Sequence, residues 1–313
     1  MATGNRPSIT FTSILTVATL CAFAANSILC RLALKTGSIG ALEFTSIRLV
    51  SGAAVLWLMV VLLRQSGTEL APSLDKSGQV SFEKSYLWPV LALFVYALCF
   101  SLAYIDLTAS TGALILFASV HLCMIVGAVF RKDTVSPFQW LGGLAALGGL
   151  YYLLSPNLSA PSLLGALLMT FAGVSWGVYS LLATNRPDPV VATARSFIFG
   201  LPGVAVLIVI IAWKMFWSGH FHANAYGILL AVISGALASG LGYVLWYMTL
   251  QRITATEASV TQLAVPAVTA LGGVLFLNEV LTARLLVATI IVIGGIAVTI
   301  VGRKDSSEIN AQG

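Results

Sequence analysis

The amino-acid sequence predicts an all-α membrane protein whose ten transmembrane helices form two inverted repeats of five helices each. The first observation is composition: 58% of the 313 residues are hydrophobic and only 9% are charged, whereas about 25% charged residues is usual in a soluble domain. The second is a series of ten long apolar runs, and the third is an internal similarity at a spacing of about 146 residues. So few charges cannot cover a soluble protein of this size, which excludes a soluble enzyme, a nucleic-acid-binding protein and a disordered chain.

Each apolar run is long enough to cross a bilayer as a helix, which takes about 20 residues. Lipid offers no partner for backbone N–H and C=O groups, so each run is predicted to be helical. Most connections are short, which makes neighbouring helices antiparallel, and the polar tail 303–313 is predicted to be a disordered cytoplasmic segment. The ten runs cover residues 9–33, 41–63, 87–107, 111–130, 137–154, 160–184, 190–213, 226–251, 255–277 and 282–302.

The internal similarity divides the chain into two predicted repeats, 9–154 and 160–302. A shift of 146 residues places the stretch 130–149 on 276–295, and a shift of 147 places Arg48 on Arg195. Because five helices per repeat is an odd number, the second repeat enters the membrane from the opposite side. Inverted repeats of this kind are typical of secondary transporters, with the substrate site between the halves. A duplication that only builds a stable helix bundle is the alternative.

The distribution of basic residues predicts that both termini lie in the cytoplasm. Lys and Arg collect on the cytoplasmic side of membrane proteins. With the amino terminus inside, ten basic residues fall in inner segments and three in outer ones. The inner residues are Arg6, Arg64, Lys76, Lys84, Arg131, Lys132, Arg186, Arg252, Arg303 and Lys304, and the outer residues are Lys35, Lys214 and Arg284.

Several short motifs follow one another in an order that resembles the EamA-type drug/metabolite transporter superfamily. The first helix has Phe23-Ala24-Ala25-Asn26 with Arg31 eight residues after Phe23, close to the family's Trp-Gly-x-Asn and basic residue. The later motifs are Trp176-Gly177-x-Tyr179, Pro266 followed by Leu277-Asn278-Glu279, and Gly294-Gly295. The first half departs from the pattern, with Val120 at the proline position and Asp133 at the glutamate position.

The resemblance covers residues 9–302 and implies a ten-helix exporter or exchanger of small metabolites in the bacterial inner membrane. It does not distinguish amino acids from drug-like compounds or other substrates of the superfamily.

Polar and aromatic groups inside the apolar runs are candidate substrate-binding residues, because polar groups are costly in a membrane. His121 is the only histidine in a run, and it could bind substrate or a proton. A neutral histidine that joins two helices, and an aromatic belt at the membrane interface, are the alternatives. The candidates are Asn26, His121, Trp176, Tyr179, Tyr243, Trp246 and Gln262.

Two arginines within the runs are candidate gating residues. Arg48 could pair with Asp106 or Glu43 to form a gate, and Arg195 with Asp188 or Glu257. The alternative is that these long side chains extend to the membrane interface.

Pro266 lies near the middle of the ninth run and is a candidate hinge, because proline removes a helical hydrogen bond.

The remaining inventory favours a transporter over an enzyme. No Asp or Glu lies deep in any run, no cluster of metal ligands is visible, and there is no Gly-x-x-x-x-Gly-Lys phosphate loop. We therefore expect no catalytic residue, metal or cofactor, and we expect partners limited to a small-molecule substrate and the lipid bilayer. Proton coupling through His121, facilitated exchange and a homodimer stay open. The alternatives are an intramembrane enzyme acting on a lipid-linked substrate and a structural membrane protein.

Overall fold

A computed structural model describes residues 9–66, 84–130, 137–155, 160–183, 188–218, 222–252, 262 and 264–295. Within these residues the chain is helical and has no β-strand, apart from one isolated bridge between Ile39 and Ala223. Seven helical segments are long and apolar enough to cross a membrane, and three shorter apolar helices accompany them. The chain is therefore a multi-pass integral membrane protein.

The first five helices match the first five predicted runs in order. A single turn of 3-10 helix, Lys84–Tyr86, leads into the third of them. The helices are α1 (Ile9–Lys35), α2 (Ala41–Gln65), α3 (Leu87–Ala103), α4 (Ala109–Phe130) and α5 (Pro137–Leu154).

The remaining helices correspond to the last five runs, with two interruptions that the sequence analysis did not predict. These helices are α6 (Leu163–Ala183), α7 (Pro189–Ile198), α8 (Leu201–Ser218), α9 (Ala225–Ile233), α10 (Gly242–Leu250), α11 (Ala264–Leu277) and α12 (Ala283–Gly295). The predicted tail 303–313 and the start of the ninth run, 255–261, lie outside the described residues.

The predicted single helix over 190–213 is divided into α7 and α8. The division falls at Phe199 and Gly200, and Pro202 is the second residue of α8. Proline has no backbone N–H, so it cannot continue the helical hydrogen-bond ladder and is tolerated best in a first turn. The two helices still follow one another as one apolar segment, Pro189–Trp217.

The eighth run contains a π-helical segment, Ser234–Leu241, between α9 and α10. Gly235 lies against α2, where an added Cβ would overlap the backbone oxygen of Arg48. The absence of a side chain therefore lets the two backbones approach closely. Short π-helical segments often occur at functional sites because they change the direction in which side chains point.

The helices of the two halves pack mainly against each other. α6 packs on α3 and α4, whereas α1 packs on α11 and on the continuous segment formed by α9, the π-helical segment and α10. α2 contacts α7, α8, α9 and the π-helical segment, and α4 contacts α11. The buried centre of the molecule is consequently built by both halves.

One end of the bundle is held together by contacts between its connections, and we call it the linked face. Here the α1–α2 connection meets the segment before α9: Gly40 N–H donates to the His222 carbonyl at 2.8 Å, and Asn224 N–H donates to the Ser38 carbonyl at 2.9 Å. These hydrogen bonds flank the bridge between Ile39 and Ala223.

Glu279 and Arg31 extend the linked face to the third and fourth helices. The Glu279 carboxylate accepts hydrogen bonds from the backbone N–H of Ala109 at 2.7 Å and from Ser110, at the amino terminus of α4. A negative charge is favourable at this end of a helix dipole. Arg31 donates to the carbonyls of Tyr104 and Ile105, both at 2.8 Å, just beyond α3. The two motif residues thus join helices distant in sequence.

Candidate functional site

Arg48 lies at the centre of the bundle and is only 1% exposed. Its Nε donates a hydrogen bond to Ser239 Oγ at 2.9 Å, and its Nη2 donates to the hydroxyls of Tyr243 at 2.9 Å and Tyr96 at 3.3 Å. The guanidinium carbon also lies 4.9 Å from the ring centroid of Phe100 and 5.3 Å from that of Tyr96. Helices α2, α3 and α10 and the π-helical segment together position this cation.

The hydrogen bonds of Arg48 go to hydroxyl groups, and the acids predicted to pair with it lie elsewhere. Asp106 is exposed and accepts a hydrogen bond from Ser162 Oγ at 3.2 Å. Glu43 turns toward Gly40 at the amino terminus of its own helix. Arg48 also does not extend to the membrane interface, the alternative considered above. Among the described residues, Nη1 of Arg48 is buried and has no hydrogen-bond partner.

Aromatic rings from both halves surround this cation. The Trp176 ring centroid lies 4.6 Å from that of Tyr243, 5.1 Å from that of Tyr96 and 5.4 Å from that of Phe23. These rings enclose a narrow cavity with room for about one water molecule. The lining residues are Phe23, Ser27, Tyr96, Phe100, Leu116, Phe117, Trp176 and Tyr243.

Asn26 connects three of the elements around the cavity. Its Oδ1 accepts a hydrogen bond from Ser234 Oγ at 2.6 Å, and its Nδ2 donates to the Tyr96 hydroxyl at 3.2 Å. The side chain is buried. Because Tyr96 also accepts from Arg48, the amide and the guanidinium belong to one hydrogen-bond network.

Five of the seven predicted binding residues come together here. Trp176 and Tyr243 line the cavity and Asn26 joins its polar network. Next to them, the Tyr179 ring lies 5.5 Å from that of Trp176, and the Trp246 ring lies 5.6 Å from that of Phe23.

The other two predicted binding residues do not line the cavity. His121 is buried in α4, one turn beyond Phe117. Gln262 is buried just before α11, and its Oε1 has no hydrogen-bond partner among the described residues.

The remaining predicted gating and hinge residues lie apart from the cavity. Arg195 is buried in α7, with its guanidinium carbon 4.7 Å from the ring centroid of Tyr86. Asp188, one of its predicted partners, caps α7 by accepting from two backbone N–H groups, and Glu257 lies outside the described residues. Pro266 is the third residue of α11.

Tyr96, Ser239 and Phe100 were not among the residues predicted from the sequence, although the sequence contains a signal for one of them. Tyr96 and Tyr243 are 147 residues apart, the same spacing that separates Arg48 from Arg195. Reading aromatic residues at that spacing would have selected Tyr96. Ser239 carries no comparable signal, because a lone serine in a membrane helix usually bonds to its own backbone.

Comparison with known proteins identifies the family of this chain. The EamA-like transporter family profile matches residues 163–301. An uncharacterized protein of Pseudomonas aeruginosa is 41% identical over 292 residues, covering 93% of this chain and 95% of its own length. The uncharacterized transporter YoaV of Bacillus subtilis is 24% identical over 275 residues, covering 84% of this chain and 89% of its own length.

The chain belongs to the EamA-like transporter family. A crystal structure that shares 18% sequence identity has the same fold, with a TM-score of 0.63 over 95% of this chain and 99% of that one. The resemblance inferred from the motifs is thereby confirmed, and this EamA-like protein is a membrane transporter.

Proposed function

We propose that this EamA-like protein is a secondary transporter that exports or exchanges a small metabolite, such as an amino acid or a drug-like compound, across the bacterial inner membrane. The central observation is a buried cavity whose rings come from both halves, Phe23 and Tyr96 from one and Trp176 and Tyr243 from the other. A site shared by two halves becomes accessible to each side in turn when the halves move against each other.

The pattern of helix contacts supports two inverted repeats of five helices. α3 and α4 of the first half pack on α6, the first helix of the second half. In the proposed repeats, the segment from α9 to α10 is the counterpart of α3, and α11 is the counterpart of α4. Both pack on α1, the counterpart of α6, so the contacts match. The contacts of α2 with α7 and α8, and of α4 with α11, likewise join helices that are counterparts of each other. A duplication that served only to build a helix bundle would not require the candidate binding residues to lie where the two halves meet.

The linked face supports an alternating-access cycle. In the arrangement described here its connections are joined by hydrogen bonds, and the cavity is narrow. The distribution of Lys and Arg makes this the outer face, with both termini in the cytoplasm. Transport then requires the linked face to separate during each cycle, so that the cavity opens outward.

Within this proposal, the cavity residues Trp176 and Tyr243 contact the substrate, as does Asn26 from the adjoining hydrogen-bond network once the cavity widens. Tyr179 and Trp246 support them. His121 has the chemistry to carry a coupled proton along α4.

A reversible cross-link on the linked face tests alternating access. Ile39 and Ala223 form an antiparallel bridge, and the hydrogen bonds beside it join residue 40 to 222 and residue 224 to 38. Ile39 and Ala223 are therefore a non-hydrogen-bonded pair, in which the two Cα atoms lie about 4.5 Å apart. That spacing permits a disulfide. We expect the double variant Ile39→Cys, Ala223→Cys to lose counterflow in proteoliposomes when oxidised and to regain it when reduced.

The single variant Ile39→Cys is the matched control, because the native residues Cys21, Cys30, Cys99 and Cys123 are free and are present in both proteins. It should transport equally with and without oxidant. Undiminished counterflow in the fully cross-linked double variant would show that the linked face does not open, and would refute the alternating-access proposal.

A further inference from the structure

We infer that Arg48 binds the anionic group of the substrate, and that the transported compound is a small organic carboxylate with an apolar body. This inference rests on the proposed function and specifies the substrate class of the same site. Three properties of the site support it: an uncompensated buried charge, unused hydrogen-bond donors, and an apolar cavity beside them.

The charge of Arg48 has no described counter-ion. The side chain is 1% exposed, and its hydrogen bonds go to neutral hydroxyls of Ser239, Tyr96 and Tyr243. Arginine stays protonated in proteins, and a buried charge is costly unless an opposite charge accompanies it. A ligand that carries a negative charge supplies the missing partner.

The remaining donors of Arg48 face no acceptor within the described part of the chain. Guanidinium has five N–H groups; Nε and Nη2 account for the bonds to Ser239, Tyr96 and Tyr243, whereas Nη1 has no partner among the described residues. Both phenol oxygens accept from Nη2 of Arg48, so the two N–H groups of Nη1 are the donors left for a ligand. A carboxylate has two oxygens that accept several hydrogen bonds and suits a guanidinium group.

Aromatic rings beside this anion site would contact the apolar body of the ligand. The cavity has room for about one water molecule in this arrangement, so it must widen, as the proposed transport cycle requires, before it admits that body. Tyr96, Phe100 and Tyr243 contact the guanidinium and also line the cavity. The other walls include the rings of Phe23, Phe117 and Trp176. No acidic side chain is among the lining residues, so an ammonium group would find no opposite charge there. The cavity therefore favours a carboxylate over an amine of similar size.

Thermal melting of the purified full-length protein in detergent tests this assignment. The probes are carboxylates paired with their carboxamides: acetate with acetamide, 3-phenylpropionate with 3-phenylpropanamide, and indole-3-propionate with indole-3-propanamide, together with phenethylamine. We expect at least one carboxylate to raise the Tm by roughly 5 °C at about 100 times its Kd, while its amide and the amine leave the Tm unchanged.

Substitution assigns the effect to Arg48. Arg48→Gln should abolish the carboxylate-induced shift, and Arg48→Lys should retain part of it. Arg252→Gln is the matched control, because Arg252 lies beyond α10, stacks on Phe11 and donates to the Met248 carbonyl. This control should keep the full shift. If Arg48→Gln is not recovered folded, Ser239→Ala keeps the charge, removes the acceptor of Nε, and should weaken carboxylate binding about tenfold.

The inference is overturned if no carboxylate stabilises the protein, if amides or the amine stabilise it equally, or if Arg48→Gln keeps the full shift. Counterflow of the same probes separates this failure from that of the proposed function. Equal exchange of a carboxylate and its amide by both wild type and Arg48→Gln would leave a transporter without an anion site. A carboxylate that binds through Arg48 but is never exchanged would leave the anion site intact and refute transport.

Discussion

Arg48 and Arg195 occupy matching positions in the two halves, yet their side chains end in different surroundings. They are 147 residues apart, and both are buried. Arg48 reaches three hydroxyls beside the central cavity, whereas Arg195 lies over the ring of Tyr86. Both arginines are buried, but only Arg48 is described in contact with residues that line the central cavity.

Two glycines lie next to Arg48 where two helical segments approach closely. Gly52 and Gly235 lie where α2 meets the π-helical segment, and a Cβ added to Gly52 would come within 3.0 Å of the Gly235 carbonyl oxygen. At the spacing of 147 residues, their counterparts are Phe199 and Trp88, and Trp88 is 68% exposed. The close contact at the two glycines thus has no counterpart beside Arg195, and it brings Arg48 next to the segment that carries Ser239.

Enlarging Gly235 should destabilise the protein most, because it prevents the close approach of the π-helical segment to α2 at Arg48. In Gly235→Ala, the new methyl group overlaps the backbone oxygen of Arg48 and Oγ of Ser51, and a backbone atom cannot move aside as a side chain can. We expect a loss of about 1–3 kcal/mol or more in unfolding free energy, seen as a lower Tm and less monodisperse protein in detergent.

Gly148→Ala is the control for this substitution. Gly148 lies within α5, and an added Cβ would have no neighbour within 4 Å. Alanine should be neutral or stabilising by up to about 1 kcal/mol, because glycine is unfavourable inside a helix. Equal melting temperatures for Gly235→Ala and Gly148→Ala would mean that the close contact between Gly235 and α2 does not contribute to stability.

The comparison also shows what the sequence can predict. Apolar runs placed the described helices correctly because lipid leaves a spanning segment few alternatives to a helix. The break between α7 and α8 was missed although Pro202 marks it, because hydropathy continues across it. The π-helical segment was beyond prediction, since Gly235 and Ser239 are also compatible with a regular α-helix.

The candidate site was predictable only in part, because sequence identifies unusual residues in apolar runs but not the partners that packing brings to them. Asn26, Trp176 and Tyr243 stand out as polar or aromatic residues in apolar runs, and the structure brings them together. The partners of Arg48 could not be assigned from sequence, because charge alone suggested carboxylates such as Asp106. The hydroxyls that it contacts are supplied by α3, α10 and the π-helical segment, and only packing selects them.

An intermediate effect is expected when the hydroxyls that hold Arg48 are removed one at a time. Tyr243 accepts from Nη2 at 2.9 Å, whereas Tyr96 accepts at the longer distance of 3.3 Å. Hydrogen bonds between side chains in membrane proteins contribute about 0.6–2 kcal/mol. We expect Tyr243→Phe to lower the unfolding free energy by about 1–2 kcal/mol, measured by thermal melting, and Tyr96→Phe to lower it less.

Tyr226→Phe provides the baseline for these two variants, because Tyr226 is exposed near the start of α9. Its Tm should match that of the wild type. A larger loss for Tyr96→Phe than for Tyr243→Phe would show that the link from Asn26 to Tyr96, at 3.2 Å, matters more than the contact of either phenol with Arg48.

The smallest effect should come from exchanging Arg195 for lysine, which separates the two cations most directly. A lysine ammonium can still lie over the Tyr86 ring, and the cation–π contribution changes by about 1 kcal/mol or less. At Arg48, lysine retains the charge but loses the fork of donors that reaches Ser239, Tyr96 and Tyr243 together. We therefore expect thermal melting to place Arg48→Lys clearly below Arg195→Lys. Equal destabilisation would mean that Arg195 depends on the geometry of its guanidinium group as much as Arg48 does. The two arginines would then not differ in the way their side chains are held.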